Sequence, residues 1–278
     1  MGILDTLRSS LGESTRDLLD AIYPPRCRLC GATAPDSLAC DAHTLPDGPP
    51  GARCPRCAAP LPRGIPDGRV CADCRRRPPG FSRLIALGDY REGEPLREWI
   101  LALKHRRRPD LALPLGLALA ERLRREAQPD ALLVPVPLHR WRRIERGYDQ
   151  ALLLARAAGE GSDLRVARAQ RRSRSTTAQG ALGSVSRAAN VRGAFAPSRR
   201  ASRHRRRLEG REVWLVDDVV TSGATASECA RVLRRLGAAR VGVLALARAA
   251  PAGQPPADDG TEDVAGERAA DAAADGAP

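Results

Sequence analysis

Eight residues in the first third of the chain have the types and spacing of metal ligands: Cys27-x2-Cys30, Cys40-x2-His43, Cys54-x2-Cys57 and Cys71-x2-Cys74. A Cys-x2-Cys turn presents two thiolates to one ion, so two such turns close a tetrahedral site. The second four residues form a ribbon-like four-cysteine set. The first four need His43 as their fourth ligand. Spacing alone leaves open whether the pairs combine in sequence or interleave, and whether one or two ions are held. With every position filled by Cys or His, no coordination position stays open, so the expected Zn2+ is structural rather than catalytic. The remaining cysteine, Cys229, stands apart in an expected helix and reads as buried packing.

A second stretch carries different chemistry: Val213-Trp214-Leu215-Val216-Asp217-Asp218-Val219-Val220-Thr221-Ser222-Gly223-Ala224-Thr225. A hydrophobic strand delivers two adjacent acids at its C-terminal end, and a short hydroxylated loop then opens into a helix. Parallel α/β sheets bind ligands at that place. Gly223 lets the backbone approach a phosphate, Thr221, Ser222 and Thr225 add hydroxyl donors, and the helix N-terminus supplies oriented N–H groups. The two carboxylates repel phosphate. They suit sugar hydroxyls or the water shell of a metal. A phosphate site beside a diol site describes a ribose 5-phosphate.

The elements that must position these residues can be read from periodicity. Leu4 to Ile22 carries an apolar stripe of helical spacing, and Pro24-Pro25 ends it. Residues 26–80 are rich in Cys, Pro, Gly and Arg and lack an apolar pattern, so a metal must supply their fold. From Phe81 the texture alternates. Strands are expected at Arg83–Tyr90, Ala131–Val136, Asp163–Ala167, Glu212–Val216 and Arg240–Ala247. Helices are expected at Pro95–Lys104, Leu111–Glu126, Tyr148–Ala158 and Ser222–Leu236. Strands separated by helices imply an α/β fold with a parallel sheet. The expected domains are an amphipathic helix (1–24), a double zinc-ribbon-like segment (25–80), the α/β domain (81–248) and a disordered acidic tail (249–278).

The net charge is +13, and of 46 basic residues Lys104 alone is lysine. From Pro251 onward seven acids face a single arginine, Arg268, so the body before it is more basic still. Such a charge suits polyanionic partners, although an Ala/Arg/Gly/Pro-rich, lysine-poor composition also reads as codon bias. Leu164 to Arg211 holds 14 arginines and one acid, Glu209. No aromatic residues interleave the Arg199–Arg207 cluster, so base stacking is not indicated there, and a solvated loop or hairpin tip is expected. No apolar run reaches the roughly 18 residues of a membrane span, and the N-terminus lacks a secretory h-region. Together with paired cysteines that favour metal over disulfides, this predicts a cytoplasmic protein without a membrane partner.

The stretch Val213–Thr225 resembles the phosphoribosyl-pyrophosphate (PRPP) motif of type I phosphoribosyltransferases. The resemblance extends through the cysteine-rich front, Leu103-Lys104, and Val134-Pro135-Val136-Pro137 leading to Arg146-Gly147-Tyr148-Asp149-Gln150. It continues through Arg174 with Thr176 and Gln179, and Arg187 with Asn190 and Phe195. Together these resemble the ComF/GntX family, phosphoribosyltransferase-like proteins linked to competence and DNA uptake, over roughly residues 1–248. Thr221-Ser222-Gly223 departs from the family's usual Thr-Thr-Gly, and Cys40-x2-His43 stands where a second Cys-x2-Cys is usual.

The resemblance implies a type I phosphoribosyltransferase-like domain that binds PRPP with Mg2+ and transfers a 5-phosphoribosyl group to an acceptor such as a nucleobase. Asp217 and Asp218 would be the catalytic acids holding the ribose hydroxyls. The PRPP site would run through Val219, Val220, Thr221, Ser222, Gly223, Ala224 and Thr225. The turn from Pro137 to Arg140 would be the pyrophosphate loop, with Arg140, Arg142, Arg143, Arg146 and Lys104 as cationic candidates. Arg174, Thr176 and Gln179 would lie on a mobile loop. Tyr148 and Gln150 sit at an expected helix start, where a ring could stack on a base or pack instead. The alternative reading is a non-catalytic PRPP or nucleotide sensor, or an accessory that contacts single-stranded DNA or a competence helicase. A dimer is compatible with either.

Overall fold

The computed structural model describes residues 20–34, 38–66, 68–138, 140–174, 191–199 and 201–249. Of the expected first helix only its last residues, 20–22, are described, and they are helical. All of the expected acidic tail except Ala249 lies outside the described residues, as do Thr176, Gln179, Arg187 and Asn190.

The cysteine-rich segment contains little regular structure: a 3-10 turn at Asp41–His43 and one short helix, α1 (Ala72–Arg76). Its two knuckles repeat one another. Antiparallel bridges Arg26↔Thr33 and Arg53↔Pro60 flank Cys27–Cys30 and Cys54–Cys57. In each, the first cysteine's carbonyl accepts from the residue after the second cysteine, Gly31 at 2.9 Å and Ala58 at 2.8 Å. That residue is left-handed in both, with φ of 78° at Gly31 and 54° at Ala58.

The α/β portion runs β1 (Leu84–Asp89), α2 (Pro95–His105), α3 (Ala112–Arg124), β2 (Leu132–Pro135), α4 (Arg140–Arg146), α5 (Gln150–Ser162), β3 (Arg165–Val166), β4 (Gln170–Arg172), β5 (Phe195–Pro197), α6 (Ala201–Leu208), β6 (Glu212–Val220), α7 (Ala224–Arg235) and β7 (Arg240–Arg248). Five strands form one parallel sheet in the order β1-β7-β6-β2-β3, while β4 and β5 pair antiparallel beside it. Within the α/β portion the expected strands and helices are all present, within a few residues at each end. Four elements were not foreseen. Strands β4 and β5 and helices α4 and α6 lie in arginine-rich sequence with too few apolar residues to show a period.

Alternation along the central strands builds two cores. Trp214 and Val216 of β6 turn to the face covered by Trp99 and Leu103 of α2, Leu115 and Leu119 of α3, and Leu154 of α5. Val213 and Leu215 turn to the other face, with Leu132 and Val134 of β2 and Cys229, Val232 and Leu233 of α7. Burial on both faces is why these strands read as continuous apolar runs. Gly242 of β7 pairs with Trp214, and a Cβ there would lie 2.6 Å from the indole ring, so only glycine leaves the ring its place.

Strand β2 passes through α5 to β3 on one side, and β6 passes through α7 to β7 on the other. The chain therefore diverges between β2 and β6. The crevice at such a switch point is where an open α/β sheet binds its ligand.

Candidate functional site

The metal-ligating residues fall into two groups, Cys27, Cys30, Cys40 and His43, then Cys54, Cys57, Cys71 and Cys74. Within each group the ligand atoms lie within 4.8 Å of one another. The pairs thus combine in sequence order, which spacing could not decide. His43 turns Nδ1 toward the sulfurs, 3.2 Å from Cys40 Sγ and 3.7 Å from Cys27 Sγ. Its Nε2 faces Glu98 Oε2 at 3.3 Å, and Trp99 Nε1 donates to its carbonyl at 2.8 Å. A carboxylate behind the ring fixes the tautomer that leaves Nδ1 free to ligate. In the second group the Cys71 N–H donates to Cys54 Sγ at 3.3 Å. Burial works to raise the Cys54 thiol, but N–H groups of Cys71, Cys57 and Arg56 outweigh it and bring it to about 7. Both donor sets fit structural zinc and offer no open coordination position.

The ribbons are fastened to the sheet at the ends of the strands. Arg53 holds Asp89 through two hydrogen bonds of 2.8 and 3.0 Å, with both side chains largely buried. Arg248, the last residue of β7, donates from Nε to the Cys57 carbonyl at 2.9 Å. On the other ribbon, Arg108 Nη2 donates to the Arg28 carbonyl at 2.7 Å.

At the C-terminal ends of the strands lies a cleft of about 400 Å3. It is lined by Tyr90 after β1, Lys104 of α2, Val136, Pro137 and Leu138 after β2, Arg142 and Arg146 of α4, Asp149 and Gln150 at the start of α5, Arg172 of β4, and Asp217, Asp218, Val219, Thr221 and Thr225. The β2 ladder ends at Pro135↔Val216, followed by Val136 N donating to Val216 O at 2.9 Å. Strand β6 runs on to Val220, paired with β7 alone. The expected strand end at Val216 is thereby corrected. The acid pair lies inside the strand, along the edge that β2 has vacated. Acids interrupt the apolar run there, and backbone pairing with β7 carries the strand through them.

Asp217 Oδ1 accepts from Asp218 N at 2.9 Å, and Asp218 Oδ1 accepts from Val219 N at 2.7 Å. Lys104 Nζ stands 3.1 Å from Asp218 Oδ1. Burial, reinforced by the neighbouring Asp218 charge, pushes the Asp217 carboxyl up to about 7. Burial also raises Asp149, which caps α5 by accepting from Leu152 N at 3.2 Å. Beyond the acids, Gly223 precedes α7 at a φ of 72°, and no side chain caps the helix's first N–H groups. A Cβ at Gly223 would also press on the Phe81 ring at 3.2 Å, adding to the strain that a left-handed backbone puts on any other residue.

Of the residues expected at the site, Lys104, Pro137, Arg142, Arg146, Gln150, Asp217, Asp218, Val219, Thr221 and Thr225 line this cleft. Val220, Ser222, Gly223 and Ala224 complete the strand–loop–helix segment. Arg140 opens α4, and Arg143 is exposed on it, acting on Asp149 only through its charge. Arg174 donates to the Arg192 carbonyl at 2.6 Å, at the base of the segment holding the undescribed Thr176 and Gln179. Tyr148 packs against the core, and its hydroxyl donates to the Leu103 carbonyl. Cys229 is buried as expected.

Sequence reasoning did not find Tyr90, Arg172 or Asp149 as cleft residues. Asp149 had a readable signal, an acid directly before a helix. Arg172 had none among so many arginines. Gln150 is 2% exposed, and its Nε2 is buried without a hydrogen-bond partner among the described residues.

Comparison with known proteins adds the family. The double zinc ribbon domain family matches residues 18–75. DNA utilization protein YhgH of Escherichia coli is 34% identical over 203 residues, which is 70% of this chain and 83% of that protein. Competence protein F of Haemophilus influenzae is 34% identical over 186 residues, 64% of this chain and 78% of that protein. The chain belongs to the ComF family. Among solved structures it is similar to an allosteric regulatory enzyme of purine biosynthesis, at 22% identity and a TM-score of 0.35 over 52% of this chain. It is also similar to a glutamine PRPP amidotransferase of B. subtilis, at 19% identity and a TM-score of 0.34 over 52% of this chain. The matched part spans 30% of each of those two chains. No helix among the described residues of this ComF protein is long and apolar enough to cross a membrane.

Proposed function

We propose that the cleft binds PRPP together with Mg2+ and that the protein transfers the 5-phosphoribosyl group to a nucleobase-type acceptor. The observation that carries this reading is the acid pair on the open edge of β6, followed at once by the uncapped N-terminus of α7. Ribose hydroxyls donate to Asp217 and Asp218. The 5-phosphate accepts from the first N–H groups of α7 and from the hydroxyls of Thr221, Ser222 and Thr225. Arg142, Arg146 and Arg172 give the cleft a cationic side for the leaving pyrophosphate. In the reaction the bond from C1′ to the pyrophosphate oxygen breaks, its electron pair leaves with that oxygen, and a lone pair of the acceptor forms the new bond to C1′. Positive charge that develops on the ring is stabilised by the two carboxylates, and negative charge on the leaving group by the guanidinium groups. Asp149, Asp217 and Asp218 all line the cleft, and carboxylate oxygens are the donors that a hydrated hard cation takes. Bound with the diphosphate, Mg2+ supplies further neutralisation of the leaving group.

The relatives' names, with the exposed Arg205, Arg206 and Arg207 on α6, favour a second reading. There the same site senses PRPP in an accessory protein of DNA uptake that contacts single-stranded DNA or a helicase. A pyrophosphate-release assay with PRPP across a panel of nucleobases separates the two. Release with one base supports the transferase and names its acceptor. Silence across the panel with PRPP still bound supports the sensor.

A further inference from the structure

Lys104 is the single lysine of a chain with 45 arginines, and it stands in the cleft. Its Nζ is 3.1 Å from Asp218 Oδ1, with the two side chains only 17% and 16% exposed. The backbone that carries it is held firmly. Trp99, Ile100 and Leu103 of the same helix are fully buried, and the Leu103 carbonyl accepts from the Tyr148 hydroxyl at the entrance to α5. Asp218 Oδ1 also accepts from Val219 N at 2.7 Å. Both contacts fall on Oδ1, and among the described residues no hydrogen bond to Oδ2 is found, which leaves it for a ligand. The Tyr90 ring also lies beside the lysine, its centroid 5.9 Å from Nζ, and the ammonium charge acts on Asp217 as well. A compact ammonium fits between ring and carboxylate, where the longer planar fork of arginine would have to displace one of them. Arg142, Arg146 and Arg172 reach the cleft from α4 and β4, so a leaving group has cations of its own.

We propose that Lys104 is a positioning residue for the sugar half of the cleft, fixing the Asp218 carboxylate as the acceptor of a ribose hydroxyl rather than contacting the pyrophosphate. This differs from the expectation that grouped Lys104 with the pyrophosphate cations, and it rests on the phosphoribosyl reading above. Removing the ammonium leaves a largely buried carboxylate without this counter-ion, free to turn away from the sugar. Pyrophosphate, held elsewhere, is unaffected.

The test uses full-length, zinc-loaded protein and calorimetric titration with ribose 5-phosphate, with PRPP and with inorganic pyrophosphate, each with Mg2+. Lys104→Met is expected to weaken ribose 5-phosphate and PRPP by the same factor, roughly tenfold or more, and to leave pyrophosphate affinity unchanged. Asp218→Asn keeps the lysine and is expected to show the same selectivity, which covers the case of a Lys104→Met protein that does not fold. The double variant is expected to be no worse than either single one, the signature of two residues acting as a unit. Selective loss of pyrophosphate affinity in Lys104→Met, or additive losses in the double variant, would overturn the inference while leaving the phosphoribosyl reading intact. Wild-type protein that binds none of the three ligands would overturn both.

Discussion

The zinc ribbons and the sheet reach order by opposite means. Among the described residues of 26–80, the buried apolar side chains are those of Cys27, Ala34, Ala39, Cys54, Ala58 and Cys74, none larger than a cysteine. The sheet buries Trp99, Trp214 and a long series of leucines and valines on its two faces. One region has metal ligands in place of a core, and the other has two apolar cores. The junction between them lies at the strand ends, beside the cleft. Arg53 grips the last residue of β1, Asp89, next to Tyr90, and Arg248 joins the end of β7 to the Cys57 carbonyl. A region held by metal is thus fixed against the wall of a site formed by the sheet.

The largest effect should come from removing the metal. Structural zinc accounts for on the order of 10 kcal/mol of apparent folding free energy in small zinc modules. Chelation, or Cys54→Ser with Cys57→Ser, is expected to abolish hydrogen-exchange protection in the ribbon while the amides of β6 and β7 stay protected. Loss of protection in both regions together would show that the sheet is not independent. The reciprocal change, Trp214→Ala, opens a cavity in the layer shared with α2, α3 and α5 and should cost about 3–5 kcal/mol. Denaturant unfolding would measure that cost, with zinc content expected to stay at the wild-type value.

Smaller changes address the junction and the site. Arg53→Ala strips Asp89 of a two-bond partner, leaving Arg91 at 3.2 Å, and should cost about 2 kcal/mol. Its thermal transition is expected to split, with the ribbon melting first. Asp217→Asn should act on pH dependence. A carboxyl whose folded value is raised to about 7 opposes folding once it must ionise, so the wild type loses this stability as pH rises from the usual carboxylate range through about 7. The asparagine variant lacks that loss and still accepts from Asp218 N. Its melting temperature should exceed the wild type's by a few degrees at pH 8 and match it near pH 4, and an equal difference at both would refute the assigned cause.

Legibility followed the same division. Ligand identity in the ribbons was plain because metal chemistry demands particular residues at fixed spacing, whereas the pairing of knuckles is a matter of three-dimensional path and needed the structure. The strands buried on both faces announced themselves as apolar runs. Helices α4 and α6 did not, since their few apolar anchors, such as Leu208, stand among arginines that give no period. The acid pair was legible as chemistry, yet its place inside β6 was not, because strand length there is set by pairing with β7. Arg172 and Tyr90 reach the cleft only through tertiary folding, and nothing in their local sequence marks them.

The open edge of β6 and the start of α7 either form a phosphoribosyl site or they do not. Calorimetric titration of the full-length protein with PRPP and Mg2+, alongside the Asp217→Ala, Asp218→Ala double variant, tests this most directly. Saturable one-to-one binding in the wild type, lost in the variant while its zinc content and melting remain cooperative, is the predicted result. No binding by the wild type, or equal binding by both proteins, would contradict it.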